Sequence, residues 1–355
     1  MKKVVFFKHF LSLLLVICLC ITALGQQKNQ TIVISKKEQL AQEKFNDAVS
    51  KYERGNTADV SKVLKDAIAT HKNFKEPYFL LAKVQFENNQ IEDAVATLQS
   101  STKILRQKDS AYYLIALIYY QSNQWNEAIQ FTDLAINENE KDYKLFYLKG
   151  LIYAASGDYP KAIQEYTKAI ELNAAVSEVY ADRGLILFNM KDFPGAIKDY
   201  SEAIKVNALP TYLNNRAVAQ LEMQSYKEAI KDCLKAIEID PVFYDAYNNK
   251  GIAHLALGEF TEAQIAFDTY IKYNNTDYKG YNYRGVALNY LGEYEKAVLD
   301  FNKSLELNPN NPEAYLNRGN TKELLRDKDG ACKDWKKAAQ LGDKNAEEYS
   351  NKNCK

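Results

Sequence analysis

The chain has 355 residues, and its 46 basic side chains balance its 46 acidic side chains. A neutral chain with no cluster of basic residues argues against a nucleic-acid partner, because such binding needs a basic surplus on at least one face. The low content of glycine and proline, 14 and 7 residues, also disfavours an all-β fold with many tight turns.

The first 25 residues have the composition of an export signal. Three lysines lie near the start, an apolar run extends from Phe10 to Ile21, and the small residues Ala23 and Gly25 follow. This arrangement predicts a secretory signal peptide that is cleaved after Gly25, which would place the protein in the periplasm or outside the cell. The alternative is an uncleaved membrane anchor, although the apolar run is short for a bilayer span. We expect no membrane span after cleavage, and residues 26–40 form a short N-terminal lead.

From residue 41 onward one pattern recurs about every 34 residues. The stretch LGEYEKAVLDFNKSLELNP (Leu291–Pro309) has close counterparts at residues 156–173 and 191–207. Its central alanine recurs in eight copies: Ala94, Ala128, Ala162, Ala196, Ala229, Ala263, Ala297 and Ala331. Twelve residues before each of them stands another small residue: Ala82, Ala116, Gly150, Gly184, Ala217, Gly251, Gly285 and Gly319. Small residues at helical spacing let two helices approach closely, so each unit is predicted to be a helix, a short turn and a second helix.

The period, the small residues and the aromatic residues between them resemble the tetratricopeptide repeat (TPR) family. The resemblance covers nine repeats, at residues 41–74, 75–108, 109–142, 143–176, 177–209, 210–243, 244–277, 278–311 and 312–345. It implies an all-α fold, namely a right-handed α-solenoid of stacked antiparallel helical hairpins (a TPR superhelix). It also implies a concave surface, built mainly from first helices, that binds a peptide or protein segment. Positions within a repeat are counted below from the first residue of its range.

Charged residues follow the same period in repeats 4 to 9. Position 7 is basic in all six, as Lys149, Arg183, Arg216, Lys250, Arg284 and Arg318. Sixteen residues later five of the six repeats have an acidic residue: Glu165, Asp199, Asp232, Asp300 and Asp334. Repeats 1 to 3 lack both members, which predicts salt bridges between the two helices of a hairpin. The alternative is a row of cations that grips an acidic ligand. Lys250 faces Ala266, and Asp268 is its expected partner instead.

Positions 5 and 12 of the first helices lie seven residues apart and therefore share one side of the helix, called here the ligand face. The candidate peptide-binding residues on it are the aromatics Phe45, Tyr52, Phe79, Phe86, Tyr113, Tyr120 and Tyr147 and the asparagines Asn214, Asn248 and Asn282. Aromatic rings can pack on apolar side chains of an extended segment, and amide groups can pair with its backbone. The alternative is that these rings pack against the next helix and contact no ligand.

After the ninth repeat, residues 346–355 are predicted to form a C-terminal capping helix, because the terminal unit of a solenoid needs a polar lid. Cys332 lies ten residues before Gly342 and Cys354 lies twelve residues after it. In an antiparallel hairpin these two heights roughly coincide, which predicts a disulfide between Cys332 and Cys354. The alternative is a pair of free thiols. Cys233 falls at a core position and is predicted to be a small buried side chain.

No sequence pattern points to catalysis. Only His71 and His254 remain after removal of the signal, and no metalloprotease, paired CxxC, nucleophile-elbow or phosphate-loop motif is present. We therefore expect no enzyme activity, no catalytic residue, no cofactor and no metal site. The favoured function is a scaffold of the cell envelope that binds a peptide or protein segment. The alternatives are a structural subunit of a larger envelope assembly and a solenoid that binds a small ligand or glycan.

Overall fold

The structure is a computed structural model, and it describes residues 35–55 and 57–354. The predicted signal peptide at residues 1–25 lies outside the described residues. The described residues contain nineteen helices and no strands. The helices are α1 (Lys36–Glu53), α2 (Thr57–Thr70), α3 (Glu76–Glu87), α4 (Ile91–Thr102), α5 (Asp109–Gln121), α6 (Trp125–Glu138), α7 (Tyr143–Ser156), α8 (Tyr159–Leu172), α9 (Ser177–Asn189), α10 (Phe193–Val206), α11 (Pro210–Glu222), α12 (Tyr226–Ile239), α13 (Tyr244–Leu257), α14 (Phe260–Tyr273), α15 (Tyr278–Tyr290), α16 (Tyr294–Leu307), α17 (Pro312–Leu324), α18 (Lys328–Gln340) and α19 (Lys344–Asn353).

These helices pack as consecutive pairs, and most pairs also contact the first helix of the next pair. The predicted all-α solenoid of helical hairpins is thereby confirmed. The chain forms two compact regions: an N-terminal region, residues 35–106, contains α1 to α4, and a C-terminal region, residues 107–354, contains α5 to α19. No helix within residues 35–55 and 57–354 combines the length and the apolar composition needed to cross a membrane.

Local sequence signals define where the second helices begin and where some of the first helices end. Asp158 accepts a hydrogen bond from the backbone N–H of Lys161 and so caps α8, which has a proline in its first turn. Asp192 caps α10 in the same way, and this helix also starts with a proline. Gly157 ends α7 with a φ of 87°, a left-handed conformation that glycine adopts without strain. These caps define the short turns of the fourth and fifth hairpins.

The small residue at position 8 is required by the side chain at position 24, which lies sixteen residues later on the second helix. A Cβ atom added to Gly285 would lie 2.7 Å from the ring of Phe301, and one added to Gly251 would lie 2.6 Å from the ring of Phe267. All five repeats with glycine at position 8 have an aromatic residue at position 24: Tyr166, Tyr200, Phe267, Phe301 and Trp335. The four repeats with alanine there have a smaller side chain instead: Leu64, Leu98, Thr132 and Cys233. The core of each hairpin is therefore filled by a complementary pair.

The predicted salt bridges within hairpins are confirmed. The five ion pairs are Lys149–Glu165 at 3.1 Å, Arg183–Asp199 at 2.7 Å, Arg216–Asp232 at 2.6 Å, Arg284–Asp300 at 2.7 Å and Arg318–Asp334 at 2.6 Å. Each arginine donates to both oxygens of its aspartate, a bidentate geometry that fixes the two helices against each other. The cations are thus used inside the solenoid, which argues against the alternative of a row that grips an acidic ligand.

The prediction for Lys250 is wrong. Asp268 does not bind Lys250, because it accepts a hydrogen bond at 2.8 Å from Nη1 of Arg284 in the following repeat. Within residues 35–55 and 57–354 no ion pair involves Lys250. The amine instead lies 5.8 Å from the centre of the Tyr247 ring.

The last helix, α19, covers the end of the C-terminal region. Asp343 caps it by accepting a hydrogen bond from the backbone N–H of Ala346, and the side chain of Ala346 is fully buried. The ring of Tyr349 lies 5.6 Å from that of Trp335. The Cα atoms of Cys332 and Cys354 are 5.5 Å apart, a separation that a disulfide can span. Cys233 is free and buried, as predicted, and burial raises the pKa of its thiol to about 12.

Candidate functional site

Three tyrosines of the predicted ligand face lie on α5 and α7 in the C-terminal region. Tyr113, Tyr120 and Tyr147 are half-buried, so each residue keeps part of its surface exposed. The ring of Tyr120 lies 5.7 Å from that of Trp125, and the ring of Tyr147 lies 5.9 Å from that of Tyr166. Tyr120 and Tyr147 therefore take part in helix packing, and their role in ligand binding stays a prediction.

Burial and nearby carboxylates keep the three phenols neutral. Burial, supplemented by Asp182, raises the pKa of Tyr120 to about 12. The pKa values of Tyr113 and Tyr147 are raised for the same reasons, with Asp142 acting on Tyr113 and Asp182 on Tyr147. The Tyr147 hydroxyl donates a hydrogen bond to Oδ2 of Asp182 at 2.7 Å. A neutral phenol both donates and accepts hydrogen bonds, so this part of the ligand face can form hydrogen bonds with the backbone of a bound segment.

Four candidates lie in the N-terminal region, where their environments differ. Phe45 is only 3% exposed and contacts Phe74 edge to face with ring centres 5.4 Å apart, so the structure places it in the core. Phe79 and Phe86 are half-buried on α3. The Tyr52 hydroxyl donates to the carboxylate of Glu87 at 2.8 Å, and the amine of Lys83 lies 4.9 Å from the centre of its ring.

The asparagines proposed as ligand contacts are largely used within the protein. The Asn214 side chain is 7% exposed, and its Oδ1 accepts from Nδ2 of Asn249 at 2.8 Å. Asn282 is 2% exposed, and its Oδ1 accepts from Nδ2 of Asn317 at 3.3 Å. Both bonds join position 5 of one repeat to position 6 of the next, 35 residues later. Two of the three candidates therefore hold adjacent repeats together.

Asn248 does not form such a hydrogen bond to the next repeat. The residue 35 positions later is Tyr283, which offers no amide donor, and Oδ1 of Asn248 is buried without a hydrogen-bond partner in the described part of the chain. A buried acceptor without a partner carries a desolvation cost of about 1–3 kcal/mol. Sequence reasoning treated the three asparagines alike, because the bridge depends on a one-residue offset between neighbouring repeats. The signal was nevertheless present, since an asparagine stands 35 residues after Asn214 and Asn282 but not after Asn248.

Comparison with known proteins agrees with this architecture. Models described as TPR repeat and tetratricopeptide repeat match residues 150–191 and 285–325, 210–243 and 233–265. A model described as anaphase-promoting complex, cyclosome, subunit 3 matches residues 53–133. No curated protein matches the sequence significantly.

Solved structures show the same fold. The C-terminal part of a TPR repeat-containing protein from Cytophaga hutchinsonii aligns with a TM-score of 0.57 at 21% identity, covering 66% of this chain and 97% of that one. A tetratricopeptide repeat protein from Parabacteroides merdae aligns with a TM-score of 0.52 at 20% identity, covering 70% and 99%. The anaphase-promoting complex hetero-tetramer Cut9–Hcn1 aligns with a TM-score of 0.52 at 11% identity, covering 90% and 68%. At these identities the likeness concerns the fold alone.

Proposed function

Because this chain is a tetratricopeptide repeat protein, we propose that it is a non-catalytic scaffold that binds an extended peptide or protein segment. The segment lies on the ligand face of the C-terminal region, along Tyr113, Tyr120 and Tyr147. The observation that supports this proposal most directly is that three half-buried tyrosines lie on one side of successive first helices. The rings supply apolar contact area, while the hydroxyls can pair with a backbone.

Asn248 extends the proposal along the same face. Its Oδ1 atom has no partner among the described residues, and a backbone N–H of the segment can satisfy it when the half-buried side chain rotates outward. Asn214 and Asn282 are not included, because their Oδ1 atoms already accept from Asn249 and Asn317. The proposed binding residues in the C-terminal region are thus three tyrosines and one asparagine.

The experiment that tests this function removes the hydroxyls and keeps the rings. In a chain carrying both Tyr113→Phe and Tyr120→Phe, we expect thermal stability to stay within about 0.5 kcal/mol, while capture of the partner from an envelope extract falls about tenfold. Tyr147 is left intact, since its removal would leave the Asp182 carboxylate without that hydrogen bond. Photocrosslinking from position 113 in the native host identifies the captured segment.

A matched crosslinker at Leu299 provides the control, because this residue is exposed on a second helix, away from the ligand face. If position 113 and position 299 capture the same proteins with equal yield, the ligand face is not the binding site. If the double variant unfolds at a much lower temperature, the hydroxyls serve the packing of the repeats.

We further propose that the protein is exported and that Cys332 and Cys354 form a disulfide in the mature chain. The support is the basic and apolar N-terminal sequence together with the 5.5 Å separation of the two Cα atoms. Mass spectrometry of non-reduced protein recovered from the native host is expected to find a chain beginning at Gln26, with residues 332 and 354 linked. Closing this 22-residue separation contributes about 3 kcal/mol. An intact Met1 with two free thiols would contradict both proposals.

A further inference from the structure

One of the six basic residues at position 7 is left out of a network that includes the other five. The basic residue at position 7 normally contacts the second helix of its own hairpin and also that of the preceding hairpin. The contacts to the preceding helix measure 2.6–2.9 Å and involve Asp133, Thr167, Ser201, Asp268 and Asn302. For Lys250 both of the corresponding positions are apolar. They are Ala266 on the second helix of its own hairpin and Leu234 on the second helix of the preceding hairpin.

Two carboxylates on the flanking helices, those of Asp232 and Asp268, are already occupied. Both oxygens of Asp232 accept from Arg216 at 2.6 and 2.7 Å, and Asp268 accepts from Arg284 at 2.8 Å. Burial lowers the pKa of the Lys250 amine. A half-buried ammonium group without a carboxylate is unfavourable, because the hydration that it loses is not replaced.

The two second helices that flank α13 also expose unusual apolar side chains. Position 25 of α12, Leu234, is 50% exposed, and position 22 of α14, Ile265, is 57% exposed. Ile265 directly precedes Ala266 and points about 100° away from it around the helix, on the exposed side of α14. Leu299 occupies position 22 in the next hairpin and is 67% exposed. The same position is polar in the other repeats of this region: Gln130, Gln164, Lys198, Lys231 and Lys333.

We propose that the surface formed by Lys250 on α13, Leu234 on α12 and Ile265 on α14 is a docking site for an acidic segment of another protein. One aspartate or glutamate of this segment pairs with Lys250, and its aliphatic neighbours cover Leu234 and Ile265. Charge complementarity favours an acidic occupant, because Lys250 is the position-7 cation that finds no acceptor at either of its two contact positions, 266 and 234. An unpaired charge and exposed aliphatic side chains each cost free energy in the isolated chain, and a single acidic, aliphatic segment relieves both.

This site is independent of the ligand face. Lys250 and Asn248 are two residues apart on α13 and therefore point about 200° apart around the helix. A variant that empties one site leaves the other intact, and the two proposals can fail separately.

Selection from a random-peptide display library on the full mature chain tests the docking site. We expect the enriched peptides to carry Asp or Glu next to Leu, Ile or Val, and we expect Lys250→Gln to weaken their binding at least about tenfold. The matched control is Lys198→Gln, which removes an exposed lysine from α10 and should leave binding unchanged. Binding should also weaken with rising salt concentration.

A second variant supplies Lys250 with a carboxylate from its own hairpin. In Ala266→Asp the new carboxylate takes the place that Asp300 holds beside Phe301 in the next hairpin, where the pair with Arg284 measures 2.7 Å. We expect this variant to remain folded, to melt at a higher temperature and to lose the selected peptides. The proposal is overturned if no peptide is enriched over the Lys250→Gln background, if the enriched peptides lack acidic residues, or if Ala266→Asp binds them as the wild type does.

Discussion

Replacing Arg183 with leucine is expected to lower the free energy of unfolding by about 3–5 kcal/mol, because it leaves the buried carboxylate of Asp199 without its partner. The Asp199 side chain is only 4% exposed, and Arg183 donates to both of its oxygens at 2.7 Å. The guanidinium also donates to the Thr167 hydroxyl at 2.9 Å, so the same substitution loosens α9 from the preceding helix α8. Guanidinium unfolding followed by circular dichroism measures the change.

The double variant Arg183→Leu with Asp199→Leu distinguishes an uncompensated charge from a merely lost contact. Replacing both members of a buried pair by apolar side chains is often nearly neutral, so the double variant should recover most of the loss. Lys205→Leu is the surface control, since its pair with Glu202 is largely exposed and contributes about 1 kcal/mol or less. Equal losses of unfolding free energy in Arg183→Leu and Lys205→Leu would show that the bidentate pair stabilises the protein no more than an exposed pair does.

These pairs also show what the sequence makes predictable. Both members of each ion pair recur at one fixed spacing and are absent together from repeats 1 to 3, so their contact follows from the sequence alone. The pairing of glycine with an aromatic residue has the same sixteen-residue spacing, yet it was not predicted. Opposite charges attract each other, so the sequence alone suggests which residues pair. A glycine and an aromatic ring can be paired only once the distance between the two helices is known.

The ligand face was less predictable, for a related reason. Helical periodicity assigns Phe45, Tyr113 and Asn282 to the same side of their helices. It does not show which residues of the surrounding structure each side chain contacts. The segment that follows α2 in the same repeat places Phe74 against Phe45, and the axial level of the next repeat places Asn317 against Asn282. For Lys250, the competition of Arg284 for Asp268 decided the outcome, and it depends on how adjacent hairpins are staggered.

Replacing Phe301 with alanine is expected to cost about 3–5 kcal/mol, because the ring is fully buried and its removal leaves a cavity. Leu299→Ala is the matched control on the same helix, since Leu299 is 67% exposed and its truncation should change stability by about 0.5 kcal/mol or less. Thermal and guanidinium unfolding of both variants measure the difference. A loss in Phe301→Ala no larger than in Leu299→Ala would contradict the placement of the ring.

The sign of the effect of Gly285→Ala then tests the pairing itself. In the wild type the new Cβ atom would lie 2.7–3.0 Å from three atoms of the Phe301 ring, and overpacking costs about 1–3 kcal/mol. Alanine is favoured over glycine in a helix by about 1 kcal/mol, so the net effect should be destabilising or at best neutral. In the Phe301→Ala background the obstacle is gone, and the same substitution should stabilise the protein by about 1 kcal/mol. If Gly285→Ala had the same effect in both backgrounds, the two positions would not be coupled, and the small residue at position 8 would need another explanation.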